Sequence, residues 1–316
     1  MSGGSHVALY RKYRPTKLDE VIGQNQISQT LANSVREGNF SHAYLFIGPR
    51  GTGKTSVARI LAHLVNNFDY QVEDSYLDII EIDAASNTGV DNIRELREKA
   101  IIAPTDGQYK VYIIDEIHML TKSAANALLK TLEEPPAHVI FIMATTDAHK
   151  VPITISSRAQ VFQFNLVSPE IMVHHLQNIC QIENIAIDDA ALEIIAKHGG
   201  GSFRDTLSLL DQISNLNKAQ ITATTINAAL GLPSAEQVQN LIQAYTEHDI
   251  DKIREILSNM INSGLQAEII ASEMIDKLVT KPAAATISLL DRLTNIAPPF
   301  AEAKLLVALI SPESKS

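Results

Sequence analysis

Gly48-Pro49-Arg50-Gly51-Thr52-Gly53-Lys54-Thr55 matches the phosphate-binding pattern G-x-x-x-x-G-K-[ST]. Immediately before it, Ala43-Tyr44-Leu45-Phe46-Ile47 is short, apolar and aromatic, and reads as a buried strand. Immediately after it, Ser56 to Ala62 has helical spacing. Strand, glycine loop and helix in that order are the context in which such a loop cradles phosphate. Gly51 and Gly53 let the backbone curl until its N–H groups face an anion. The helix N-terminus adds partial positive charge. Lys54 then reaches the β- and γ-phosphates, and the hydroxyl of Thr55 is a ligand for Mg²⁺.

A second motif completes the first. Val111-Tyr112-Ile113-Ile114 is an apolar strand that ends in two adjacent carboxylates, Asp115 and Glu116. Asp115 would hold Mg²⁺ through water, and Glu116 would polarise the attacking water. Thr145 and Thr146 end another apolar strand, Val139 to Met143. In a parallel sheet, ligands bind beyond the carboxyl ends of the strands. A hydroxyl there can touch the γ-phosphate or orient water, and Thr146, one residue further out, is preferred. His42 and His118 lie near these motifs, but no spacing makes them metal ligands.

Outward from this centre, strands and helices alternate. Leu77 to Ile82 reads as the second strand and Val161 to Phe164 as the fifth. Asp91 is placed as the N-cap of a helix reaching Ile101, and Ser123 as the cap of one stopped by Pro135-Pro136. This predicts an α/β domain over 1–165 with a five-stranded parallel sheet covered on both faces. After Pro169 only helical spacing remains, which predicts a small helical domain over 166–216 and an all-α domain over 217–316. Upstream, Tyr10-Arg11-Lys12-Tyr13-Arg14-Pro15 is a basic, aromatic arm placed to close over a nucleotide base.

Composition narrows the class. The chain has 316 residues, 45% hydrophobic, with formal net charge −10. That argues against a chain coated in basic patches for nucleic acid, so any DNA contact is local or shared with other subunits. No apolar run reaches the ~18 residues needed to span a membrane. No secretory leader is evident, and the single cysteine, Cys180, allows no intrachain disulfide. Both suit a cytoplasmic protein. Cys180 sits in a helical apolar pattern, as a core residue does.

With these residues in view, the chain resembles the AAA+ ATPases, and within them the gamma/tau family of bacterial clamp-loader subunits of DNA polymerase III. The resemblance rests on Tyr13-Arg14-Pro15, Val21-Ile22-Gly23-Gln24, Ser41-His42-Ala43-Tyr44-Leu45-Phe46, the glycine loop and Glu81-Ile82-Asp83-Ala84-Ala85-Ser86. It continues through Asp115-Glu116-Ile117-His118-Met119-Leu120, Ala127 to Pro136, Ala144-Thr145-Thr146-Asp147, Ser157-Arg158 and Gly201-Ser202-Phe203-Arg204-Asp205. From 216 onward only helical pattern and length match.

The resemblance implies roles. Gly48 through Ser56 bind the phosphates of ATP, with Mg²⁺ at Thr55 and Asp115. Asp115 and Glu116 are the Walker B pair, and Thr146 is sensor 1. Arg204 is sensor 2, carried by the lid over 166–216. Arg158 is an arginine finger acting in trans on a neighbour's ATP. Arg11, Pro15, Val21 and Ile22 surround adenine. The domain over 217–316 becomes a collar holding a hetero-oligomeric ring with delta and delta-prime subunits. ATP binding would open a sliding clamp on primer-template DNA, and hydrolysis would release it, with no polymerase chemistry in this chain.

Two departures stand out. The family's cysteine-built zinc module is missing, since Asn66 to Ser75 holds no cysteine, so no zinc is expected. The loop Ser86 to Gly89, often basic in the family, carries Asn87, Thr88 and Gly89, leaving Arg94 as a DNA contact. Two other readings stay open. One is a delta-prime-like structural subunit, against which the intact Lys54, Thr55, Asp115 and Glu116 argue. The other is another AAA+ DNA motor such as a Holliday-junction helicase, against which the helical, non-basic 222–310 argues.

Overall fold

Alternate residues of the central strands are apolar on both faces, and the structure uses both. A computed structural model describes residues 7–71, 76–86, 89–216, 220–280 and 284–311. Asn87 and Thr88, and part of the Asn66 to Ser75 segment, lie outside the described residues. The chain divides into two compact units, Met1–Ile185 with Ile195–Asn215, and Ala186–Ile194 with Leu216–Ser316.

The first unit begins with α1 (Leu9–Lys12) and α2 (Asn25–Glu37), followed by β1 (Ala43–Ile47) and α3 (Lys54–Val65). Then come β2 (Ile79–Asp83), α4 (Val90–Ala100), β3 (Lys110–Asp115), α5 (Lys122–Glu133) and β4 (Val139–Thr145). Next are α6 (Ile153–Ser156), β5 (Gln160–Gln163) and α7 (Pro169–Glu183); α8 (Asp189–His198) is divided between the two units at Ile194, and α9 (Phe203–Leu216) returns to the first. The strands form one parallel sheet in the order β2-β3-β4-β1-β5. Tyr44, Phe46, Ile113 and Ile142 face α2 and α3, packing on Leu31, Val57 and Leu61. Leu45, Tyr112, Ile114 and Phe141 face the other way, onto Ile93 and Leu96 of α4 and Leu128 and Leu132 of α5. Burial of large side chains on both faces is what a parallel sheet with crossover helices requires.

Two helix starts differ from the sequence expectation. Gly89 is the N-cap of α4, and Asp91 sits inside its first turn, where a carboxylate opposes the helix dipole. For α5 the cap is Thr121, whose hydroxyl accepts from Ala124 N–H at 3.2 Å, and Ser123 is within the helix. In both cases the chain enters helical geometry one or two residues earlier than the polar residue that signals it.

In the second unit Ile187 and Ile221 form an isolated parallel bridge. Helices α10 (Ala223–Leu230), α11 (Ala235–Thr246), α12 (Ile250–Asn262), α13 (Ala267–Thr280), α14 (Ala284–Leu293) and α15 (Ala301–Ile310) follow. Leu241, Ile270, Met274, Leu289 and Leu305 are fully buried in their common core.

Candidate functional site

Strand order makes the site. β1, β3 and β4 are neighbours in the sheet, with Ile47 opposite Thr145 and Asp83 opposite Asp115. The glycine loop leaves the carboxyl end of β1, the acids leave β3, and the threonines leave β4. All three therefore meet at one edge.

The loop's shape depends on positive φ. Gly51 has φ +75°, and a Cβ there would lie 1.9 Å from Ser202 Oγ. Only glycine satisfies both demands. The carbonyl of Gly51 accepts from Phe203 N–H at 3.0 Å, tying the loop to the start of α9. Gly48 N–H donates to Thr145 O at 3.2 Å, and Thr52 Oγ1 donates to Pro49 O at 2.8 Å. Lys54, only 6% exposed, donates to the carbonyls of Gly48 at 2.7 Å and Pro49 at 2.8 Å. Burial pushes the Lys54 ammonium down from its usual range, and the carboxylates of Glu116 and Asp115 push it back in part.

Thr55 Oγ1 donates to Asp115 Oδ2 at 2.8 Å. A hydroxyl and a carboxylate, side by side at the mouth of a phosphate loop, are the hard oxygen donors that Mg²⁺ takes. Asp115 Oδ1 accepts from Glu116 N–H at 3.0 Å. Glu116 itself has φ +49°, a left-handed conformation uncommon for a non-glycine residue. Its Oε2 accepts from Thr146 N–H and Thr146 Oγ1, each at 3.0 Å, and lies 3.2 Å from His118 Nδ1. His118 Nδ1 also shares a hydrogen bond of 2.9 Å with the buried Thr145 hydroxyl. Thr145 is thus an internal support, and Thr146 is the hydroxyl that reaches the acid.

A cleft of about 1100 Å³, open solvent at its mouth included, runs from this edge toward the N-terminal arm. Its walls include Arg50 through Ser56, Asp115, Glu116, Thr146 and Arg204, together with Pro15, Val21 and Ile22. The expected residues are in large part brought together here. Gly48 and Pro49 are not on the wall; their carbonyls hold Lys54 from behind. Arg11 is a correction: it does not line the cleft. The turn of α1 leaves it exposed, with its guanidinium 5.9 Å from the Tyr10 ring centre. Tyr10, Tyr13 and Arg14 of the same arm line the cleft instead. Arg204 lies 5.3 Å from the Tyr10 ring centre, a cation–π arrangement joining arm and α9.

Other members of the wall had no sequence signal of their own. His175 of α7 packs against Phe203, with ring centres 4.6 Å apart, and burial lowers its pKa to about 4. The arm is held to the end of α7 by Glu183, which accepts from Tyr13 Oη and pairs with Lys12 at 2.7 Å. Arg158 stands away from the cleft wall, paired with Glu133 at 2.8 Å and donating to Thr154 O at 2.8 Å. Arg94 is exposed on α4, 3.3 Å from Asp91. Cys180 is buried and its thiol is pushed up to about 11, which makes it inert core. Among the described residues no cluster of His, Cys, Asp and Glu could hold a metal ion, and no helix is long and apolar enough to cross a membrane.

Comparison with known proteins agrees with this geometry. The family described as "DNA polymerase III, delta subunit" matches residues 23–168, and "DNA polymerase III clamp loader subunit, ATPase lid domain" matches 171–214. The chain is 42% identical over 285 residues to the DNA polymerase III subunit tau of Bacillus subtilis, covering 86% of this chain and 51% of that one. It is 39% identical to subunit tau of Escherichia coli, covering 87% of this chain and 45% of that one. It thus spans about half the length of these curated relatives. It is 38% identical to the DNA polymerase III subunit gamma of Buchnera aphidicola, covering 84% of this chain and 77% of that one. Among solved structures, the Thermotoga maritima RuvB Holliday junction branch migration motor superposes with TM-score 0.57 at 21% identity. That match covers 73% of this chain and 79% of the other, and shares the fold. A five-stranded parallel sheet with the glycine loop after β1, and a relative of this identity covered over three quarters of its length, place the chain in the gamma/tau family of DNA polymerase III subunits, with an AAA+ fold.

Proposed function

We propose that this chain is the ATP-hydrolysing subunit of a clamp loader. The observation that carries the reading is the convergence of Lys54, the Thr55–Asp115 pair and Glu116 in one cleft. Lys54 and the loop N–H groups bind the polyphosphate. Thr55 and Asp115 hold Mg²⁺, which when bound offsets charge on the β- and γ-phosphates. Glu116, held by Thr146, orients and polarises the attacking water. Pro15, Val21 and Ile22 provide an apolar wall for the base, and Arg204 closes from α9.

The match to a clamp loader subunit's ATPase lid domain supports assembly with other clamp-loader subunits, and in this reading the assembly is a hetero-oligomeric ring with delta and delta-prime subunits. There ATP binding opens a sliding clamp and hydrolysis leaves it on primer-template DNA, in the cytoplasm. In this reading 1–165 is the ATPase domain, 166–216 the lid and 217–316 the collar, and Arg94 is a DNA contact. Zinc has no role, because one cysteine cannot supply a structural site.

The test is ATP turnover by the chain alone, with delta and delta-prime subunits, and with a sliding clamp and primed DNA added. Stepwise stimulation supports the reading, and no turnover under any condition refutes it. The family match described as a delta subunit favours one second reading, a non-hydrolysing structural subunit. That subunit would assemble into the ring yet leave its ATPase unchanged when Lys54 is replaced.

A further inference from the structure

Arg14 presents an unsolved charge problem. It follows Tyr13 at the end of the arm and lines the cleft together with Lys54, Thr55 and Arg204. It is half-buried. Among the described residues it has no ion-pair or side-chain hydrogen-bond partner. Other cations nearby have such partners. Arg59 is held at both ends by Glu81, 2.7 Å at each contact. Lys54 has two loop carbonyls, and Lys12 has Glu183.

The carboxylates that share the cleft are engaged elsewhere: Asp115 accepts from Thr55 Oγ1 and Glu116 N–H, and Glu116 from Thr146. Glu20 Oε2 accepts from Thr16 N–H at 2.8 Å, from Thr16 Oγ1 at 3.1 Å and from Lys17 N–H at 3.3 Å. What acts on Arg14 instead is burial and the like charge of Arg59 and Arg204, which together push its pKa down against weaker help from Tyr70 and Glu81. A guanidinium does not escape such a site by deprotonating. It needs an anion.

We propose that Arg14 binds a phosphate of the nucleotide held in this cleft, which rests on the cleft being the nucleotide site. A base edge offers neutral acceptors that leave the charge uncompensated. A phosphate supplies both negative charge and the oxygen pair that a guanidinium fork grips. Arg14 and Arg204 then approach the polyphosphate from the arm and from α9, while Lys54 approaches from the loop. The arm thereby carries a polar grip in addition to its apolar wall.

The experiment uses the full chain with Arg14→Gln and Arg14→Lys, titrated calorimetrically with Mg-ATP, Mg-ADP and adenosine. Arg14→Gln is expected to weaken ATP and ADP about tenfold, as loss of a charge-assisted bond does, and to leave adenosine unchanged. Arg14→Lys should keep most of the affinity. Without nucleotide, the thermal midpoint of Arg14→Gln should equal or exceed that of the parent, since a repelled charge is removed. ATP affinity unchanged in Arg14→Gln, while the parent binds ATP, overturns the phosphate contact alone. Equal loss for adenosine and ATP, or a midpoint lowered in both variants, also overturns it and makes Arg14 a scaffold residue. A parent chain that binds no ATP removes the nucleotide reading itself, and this inference with it.

Discussion

Thr146 gives both its backbone N–H and its hydroxyl to one oxygen, Oε2 of Glu116, at 3.0 Å each. The acid is therefore held at the end of β4 although it leaves from β3, and its left-handed backbone is stabilised by a contact from the neighbouring strand. Such strain at a strand end is the kind that active sites retain. Glu116→Gln keeps the shape and removes the basic oxygen. ATP affinity should stay near that of the parent while turnover falls by about 10²–10⁴. Thr146→Val removes one of the two bonds and should lower turnover by a smaller factor. Single-turnover hydrolysis measures both, and a Glu116→Gln chain hydrolysing at the parental rate would remove Glu116 from the chemistry.

Lys54 sits buried against two carbonyls that a phosphate would replace as its partners. Lys54→Ala deletes the ammonium with little effect on the core. ATP affinity should fall by at least about tenfold, the cost of a charge-assisted bond to phosphate. Equilibrium binding of a fluorescent ATP analogue reads this directly, and unchanged affinity argues against phosphate binding by the loop.

Arg158 lies off its own cleft wall and is held at one end by Glu133. An arginine delivered to a neighbour's nucleotide stabilises charge on the transferring phosphoryl group. Arg158→Ala should leave ATP affinity of the isolated chain unchanged and lower turnover of the assembled ring by roughly 10³-fold or more, on the scale of other arginine fingers. Rings mixing Arg158→Ala with Lys54→Ala chains contain some sites with both parts intact. Co-assembled mixtures with no more activity than either variant alone would exclude action in trans.

Asp78 is a buried carboxylate, 1% exposed, that caps the turn before β3. It accepts from the N–H groups of Thr105, Asp106 and Gly107 at 2.6 to 2.9 Å. Burial alone would raise its pKa. The N–H groups of Gly107, Thr105 and Asp106, with the charge of Lys110, outweigh burial and hold it below the usual range. A depressed carboxyl stabilises the fold above its unfolded value, near pH 4, and that contribution disappears as pH falls through the folded value. Asp78→Asn should cost about 1–3 kcal/mol at pH 7 and flatten the stability profile between about pH 4 and the folded value. Urea denaturation at neutral and acid pH checks both, and parallel losses for parent and variant would exclude the carboxylate as the cause.

The local features of this protein were legible in its sequence because they depend on neighbours along the chain. The glycine loop, the apolar strand before it and the helix after it declare themselves through backbone demands and periodicity. So does the end of β3 in Asp115-Glu116, and so does the change from alternating elements to helices alone after Pro169. Only the tertiary structure decided which strand ends share an edge. The placement of β4 between β3 and β1 brings Thr146 to Glu116 and Thr55 to Asp115, and no local pattern encodes strand order. Nor could spacing choose between Arg11 and Arg14 in the arm. Both are basic, both flank tyrosines, and the choice rests on how the arm packs, which puts Tyr10 and Arg14 on the cleft and leaves Arg11 exposed. The same holds for His175, which becomes cleft wall because Phe203 of α9 packs against its ring.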